Sequence, residues 1–187
     1  MSPRTADELI AGLDHIRAAP HSAGVLSLIV RRPAEDQREV LEVGELHPEC
    51  GLVGDNWSAR PSSRTPDGSP HPDMQLNIMS TRVVALLAGD DGAWELAGDQ
   101  LYVDLDLSSD NLPPRTRLHI GGAVVEVTDQ PHRGCAKFTQ RFGLEAHRFV
   151  NSEIGRELNL RGINARVIIG GLVRRGDMVD VIRVTDG

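Results

Sequence analysis

The apolar residues of this chain come in short runs, each cut off by glycine or proline, and that spacing limits the folds open to it. Residues 25–30, 74–79, 118–120, 123–128, 163–169 and 178–184 are each of strand length. The stretches 38–43 and 100–104 read as further strands. Turn signals separate them: residues 33–37, Gly121-Gly122, Gly170-Gly171 and Gly176-Asp177. A Gly-Gly pair between two apolar runs is a hairpin signal, whereas Leu112-Pro113-Pro114 cannot lie inside a sheet and marks a loop. Helical spacing is confined to residues 6–18, 81–87, 138–149 and 152–158. Thr5 with Glu8 three residues on is a capping box for the first of these. Many short strands with few helices predict an α+β, mainly β fold, barrel-like or sandwich-like. Aromatic residues are only 3% against 40% hydrophobic, so the core must be aliphatic. Residues 44–73 are rich in Gly, Pro, Ser and Asp, and read as one long irregular loop of the kind that is functional or disordered.

With 187 residues the chain is sized for a single domain that needs no disulfide staple. The N-terminus lacks the apolar segment of a secretory signal, and no apolar run is long enough to span a membrane. A cytoplasmic address is expected, with Cys50 and Cys135 as free thiols. The net charge of −7 argues against general nucleic-acid binding. That charge is unevenly spread. Residues 131–175 hold nine Arg/Lys against three Glu, and the rest of the chain 11 basic against 24 acidic residues. The basic stretch is either a chance clustering on solvated faces or an anion site.

Chemistry, if present, centres on Cys135. It follows a strand and a turn, Pro131-His132-Arg133-Gly134, and precedes a helix. A helix N-terminus and nearby cations favour thiolate over thiol; Arg133, Lys137 and His132 are the neighbours that could act so. A thiolate ligates soft metals or carries sulfane sulfur. The alternative is a buried structural cysteine, a frequent fate of free Cys. Gly51-Leu52-Val53-Gly54-Asp55 is either a ligand-cradling loop or an ordinary turn. Arg133, Arg156, Arg161 and Arg166 are candidates to grip a phosphate; the alternative for each of them is a surface salt bridge. His71, His132 and His147 have no zinc spacing, and no phosphate-binding glycine loop of the Walker or dinucleotide type is present. Asn164 is a candidate to hydrogen-bond the Cys135 loop.

The run Val125-Glu126-Val127-Thr128-x-x-Pro131-x-x-Gly134-Cys135 resembles the signature of the MOSC domain, the C-terminal domain of molybdenum cofactor sulfurases. Gly51-x-x-Gly54-Asp55, Gly98-Asp99-Gln100-Leu101, Arg117-Leu118-His119-Ile120-Gly121 and Gly162-Ile163-Asn164-Ala165-Arg166-Val167 resemble further segments of small bacterial members, in the family's order. The likeness spans about residues 25–185, which leaves 1–24 as an N-terminal helical extension.

The resemblance implies a mixed, strongly curved β-barrel with peripheral helices. It implies that Cys135 holds a persulfide or ligates the molybdenum of a pterin cofactor. His132, Arg133, Gly134, Lys137, Gly54, Asp55 and Arg166 would surround that cofactor. Some relatives reduce N-hydroxylated compounds, and others belong to cofactor sulfuration machinery, so a sulfur-donor or electron-donor protein is an expected partner. A carrier module without turnover, or a scaffold with a merely structural cysteine, are the rival readings. Many small relatives carry His-Gly-Gly after the Gly-Asp motif, where this chain has His71-Pro72-Asp73-Met74-Gln75. Pyridoxal phosphate is associated with the family through a separate aminotransferase-like domain. This chain has no room for one, and Lys137, its one lysine, is the only residue able to form a Schiff base; the coenzyme is not expected here.

Overall fold

A computed structural model describes residues 3–89 and 93–183. Helices α1 (Ala6–Ala11) and α2 (Leu13–Arg17) precede β1 (Ala23–Arg31), β2 (Glu39–Leu41), β3 (Val43–His47) and β4 (Gly51–Leu52). Then come β5 (Leu76–Ser80), α3 (Thr81–Ala88), β6 (Leu101–Asp104), β7 (Arg117–Ile120) and β8 (Ala123–Val127). The chain continues through α4 (Ala136–Asn151), α5 (Glu153–Glu157), β9 (Ile163–Ile169), β10 (Gly171–Arg174) and β11 (Met178–Ile182).

The large sheet runs β11-β7-β8-β9-β5-β6-β1-β2, and β1 also pairs with β11. That last pairing, Ala23 opposite Asp180, closes seven strands into a barrel. β5 and β6 are parallel and joined through α3, and the other pairs are antiparallel, so the barrel is mixed. Closure removes the open edges that an isolated sheet would expose.

Alternation along the strands serves two cores. Leu26, Ile29, Ile78, Leu101, Val103, Leu118, Val125 and Val179 point into the barrel and are aliphatic, as the composition requires. Leu28, Val30, Met79 and Tyr102 face the other way, onto α3 and α4. All three phenylalanines, Phe138, Phe142 and Phe149, gather in this outer core. Each such side chain taken fully out of water contributes about 1.5–3 kcal/mol. A register shift between Leu26 and Leu28 lets β1 supply both cores.

Several expectations are corrected. The helix expected over 6–18 is two helices. The Gly12 amide donates to Leu9 and Ile10 carbonyls and tightens the turn, while Leu86 packs where a Cβ at Gly12 would sit. The long irregular loop contains β3 and β4, which form a small sheet with β10. Gly44 takes an inward position of β3, against Leu52, and so hides the alternation. Residue 171 begins a strand rather than a turn, and its backbone lies so close to Gly122 that no Cβ fits. The strand expected over 178–184 ends at Ile182, and Val184 lies outside the described residues.

Candidate functional site

Thr128, at the end of β8, donates its amide to the Asn164 carbonyl and its hydroxyl to the Asp73 carbonyl. From there the chain crosses to α4 through residues 129–134. This crossing is tied at both ends. Asn164 Nδ2 donates to the Gln130 carbonyl at 3.0 Å, the contact expected of Asn164, and its Oδ1 accepts from Asn77. The Gly134 amide donates to Asn151 Oδ1 at 3.2 Å, and its carbonyl pairs with His147 Nε2 at 3.1 Å. Asn151 and Val150 crowd the face a Cβ would need at Gly134. Cys135 is the N-cap residue of α4, extended at φ −113°, with no side-chain capping bond, and it is exposed. The buried-cysteine alternative is thereby excluded.

Cys135 lines a cavity of about 420 Å³. His132, Arg133 and Lys137 line it with Cys135, and so do Arg32, Arg38, Arg60, Arg141 and Arg161. Among the described residues its carboxylates are Glu35 and Asp36. Seven cations therefore face two acids, and the way they are paired decides what the cavity can hold.

Two of the cations are neutralised from behind. Arg32 makes a two-pronged pair with Asp55, at 2.8 Å to each oxygen. Arg161 reaches both oxygens of Asp99, at 2.9 and 2.7 Å, and its guanidinium lies 5.0 Å from the Phe138 ring centre. Burial pushes the Asp99 carboxyl up from its ordinary value, and Arg161 works against that push. Two more cations are held at the lip: Lys137 by Glu35 and Asp36, and Arg141 by Asp36. Those hydrogen bonds hold the Lys137 ammonium above its ordinary value. Among the described residues, Arg38, Arg60 and Arg133 make no ion pair. Burial, and then Arg141 and Arg32, push Arg38 down from its ordinary value, yet a guanidinium stays protonated in proteins.

Buried side-chain polar atoms without a hydrogen-bond partner cost about 1–3 kcal/mol each. Four belong to lining residues of this cavity: Arg38 Nε, Asn56 Oδ1, His132 Nδ1 and Arg161 Nε. His132 Nδ1 stands 3.5 Å from Asp99, too far for a good hydrogen bond. Burial, then Arg161 and Arg32, hold this imidazole well below its ordinary value, so it is neutral at physiological pH.

The remaining candidates lie elsewhere. Asp55 is fully buried and accepts from the Arg32 amide and guanidinium, the Trp57 amide and Gln100, so it positions Arg32 and has no free face for a ligand. Gly54, at φ +81°, makes the turn beside Arg31. Arg166 is on another surface, bonded to Glu126 and Asp73. Arg156 lines a smaller neighbouring cavity with His132 and Arg133. His71 caps a short 3₁₀ turn and accepts from the Asp73 amide. Sequence reasoning missed Arg32, Arg38, Asn56, Arg60 and Arg141 as cavity residues. Four of them lie far from Cys135 in the chain and arrive through the β1–β2 turn and the loop after β4; no local motif marks them.

The class defined here is a small, closed mixed β-barrel protein that carries an exposed thiol at a strand-to-helix crossing, beside a cavity lined by more cations than carboxylates. A model of the MOSC domain matches residues 70–180, and the chain belongs to that family. No curated protein matches it. The fold is similar to that of the YuaD protein from Bacillus subtilis, at 19% identity and TM-score 0.60, covering 85% of this chain and 95% of that one. It is also similar to YiiM from Escherichia coli, at 21% identity and TM-score 0.52, covering 87% and 72%. YiiM from Geobacillus stearothermophilus, at 15% identity and TM-score 0.53, covers 90% of this chain and 77% of its own. No helix among the described residues is long and apolar enough to cross a membrane.

Proposed function

We propose that this MOSC-domain chain binds a phosphate-bearing pterin cofactor of the molybdenum type, with the Cys135 sulfur as its attachment to the metal or to a transferable sulfur. One observation carries the reading: an exposed thiol shares a 420 Å³ cavity with three arginines that have no carboxylate partner among the described residues. Guanidinium forks match phosphate oxygens in pairs, so Arg38, Arg60 and Arg133 are suited to hold a phosphate ester. Arg161 Nε, Arg38 Nε, Asn56 Oδ1 and His132 Nδ1 offer donors and acceptors to a flat heteroatom-rich ring.

Among the described residues no three His, Cys, Asp or Glu side chains cluster to hold a metal ion. A single thiolate suits a metal that arrives with its other ligands already on the cofactor. When bound, such a cofactor supplies a centre that exchanges two electrons and an oxygen or sulfur atom. The chain's own part is to supply a soft ligand at Cys135, fix the phosphate and keep a neutral hydrogen-bonding imidazole at the wall. Lys137 does not suit a Schiff base: Glu35 and Asp36 hold it protonated, the opposite of what a nucleophilic amine needs.

The exposure of Cys135 favours a second reading, a sulfur carrier, because a donor protein can reach the sulfur from solvent. The test is molybdenum and sulfane-sulfur content of protein purified from a cofactor-competent host. Wild type is compared with Cys135→Ala and Arg133→Ala. Molybdenum in wild type, lost in both variants, is the expected result. Labile sulfur on Cys135 without molybdenum would select the carrier. Equal metal and sulfur content in wild type and Cys135→Ala would overturn both.

A further inference from the structure

We infer that Glu35 and Asp36 stand in for part of the ligand: they occupy a second anion subsite, formed by Lys137 and Arg141, which an extended polyanion such as a diphosphate takes over on binding. This rests on reading the cavity as an anion site, but not on what Cys135 binds.

Cations in the cavity fall into distinct sets. Arg38, Arg60 and Arg133 have no carboxylate partner among the described residues, whereas Lys137 and Arg141 are capped by the loop between β1 and β2. Lys137 Nζ reaches Glu35 at 2.5 Å and Asp36 at 3.3 Å, and Arg141 Nη2 reaches Asp36 at 3.1 Å. Lys137 and Arg141 are four residues apart on one face of α4, two and six residues after Cys135. Both carboxylates are largely solvated, with Glu35 80% and Asp36 62% exposed. Exposed pairs of this kind are individually weak, so an incoming polyanion can displace them.

The loop also carries an uncommon backbone conformation at one of the two capping residues. Asp36 has φ +59°, a left-handed conformation uncommon outside glycine. Such outliers persist where surrounding contacts hold them, and they cluster at ligand clamps and switch regions. The same short loop ends in Arg38, whose Nε is buried without a partner. One segment thus offers a cation to the ligand while its own carboxylates cover two others. A ligand with a single phosphate is met by the three unpaired arginines. A ligand with a second anionic group competes for Lys137 and Arg141, frees Glu35 and Asp36, and leaves their turn without its tether to α4.

The experiment titrates the full chain with inorganic pyrophosphate and with orthophosphate, using wild type and a Glu35→Gln/Asp36→Asn variant. Amide hydrogen exchange over residues 33–38 is followed alongside. Asn tolerates the left-handed conformation at position 36, and both positions are exposed, so the variant keeps its fold. The variant should bind pyrophosphate about three- to tenfold more tightly than wild type, the range expected for removing exposed competing pairs. In wild type, pyrophosphate should speed exchange in residues 33–38, the reverse of ordinary ligand protection, and orthophosphate should not. Unchanged or weaker pyrophosphate affinity in the variant, or no binding to it, would overturn the inference. So would slowed or unaltered exchange in the loop, or equal loosening by orthophosphate. None of these readouts depends on molybdenum or sulfur, so a chain that fails the cofactor test can still pass this one.

Discussion

Replacing Asp55 by asparagine changes one atom and should cost more than most surface deletions in this chain. The carboxylate is fully buried and every neighbour facing it is a donor. Oδ1 accepts from Arg32 Nη2 at 2.8 Å, the Trp57 amide at 3.0 Å and Gln100 Nε2 at 3.4 Å. Oδ2 accepts from the Arg32 amide at 2.9 Å and Arg32 Nε at 2.8 Å. Whichever way an asparagine amide is turned, its NH₂ meets at least two donors and the Arg32 charge loses its counter-ion. Breaking one side of a buried ion pair costs about 3–5 kcal/mol, a large share of the roughly 5–15 kcal/mol that holds a domain together. With a urea slope of about 1–3 kcal/mol per molar, the midpoint of Asp55→Asn should fall by about 2 M at an unchanged slope. A double variant, Arg32→Met/Asp55→Leu, should recover only part of the loss, because the Arg32 and Trp57 amides keep no acceptor. An Asp55→Asn midpoint within about 0.5 M of wild type would refute the reasoning and return Asp55 to the ligand-binding candidates.

The two thiols should separate cleanly. Burial, with Glu45 and Glu49 nearby, pushes the Cys50 thiol up from its ordinary value, whereas Cys135 is exposed among arginines. Alkylation of the native protein near neutral pH, followed by mass spectrometry, should modify Cys135 at least about tenfold faster than Cys50; equal rates would contradict the site geometry. His132 should make the fold acid-sensitive. Its folded value lies below the unfolded 6.5, so the unfolded chain takes up the proton first as pH falls. Stability should then drop below pH ~6.5 by up to about 1.4 kcal/mol per pH unit. Thermal melts of His132→Gln should show a shallower decline between pH 6.5 and 5, and an identical decline would place the titration elsewhere.

What could be read in the sequence follows what is local. Ile163–Ile169 and Ala123–Val127 are rich in β-branched and aliphatic residues, broken only by Asn164, Arg166 and Glu126, and their composition and the Gly121-Gly122 turn were enough to place them. Val43–His47 escaped because its inward positions are Gly44 and Leu46, and a glycine facing the core leaves no apolar signal. The kink in α4 escaped because Gly143, at φ +89°, sits inside an otherwise amphipathic stretch. The site divides in the same way. His132, Arg133 and Lys137 were visible beside Cys135 because the chain keeps them within a few residues. Arg32, Arg38 and Arg60 were not, because their meeting depends on β1 pairing with β2 and β6 and on the Asn56 amide bonding the Arg32 carbonyl.

The pairing of β1 with β11 has a consequence for how the chain comes into being. Ala23 and Asp180 are neighbours in space but lie near opposite ends of the sequence. During synthesis β1 emerges early and its closing partner late, so the barrel stays open while most of its strands are already outside the ribosome. Long-range β pairing of this kind is intrinsically slow and leaves strand edges exposed meanwhile. The capping of β1 by β2, a local hairpin that forms without waiting, then acts as a temporary guard for part of that edge. Cys135, on a crossing that needs both β8 and β9 in register, takes its place beside the arginines only after the barrel is nearly shut.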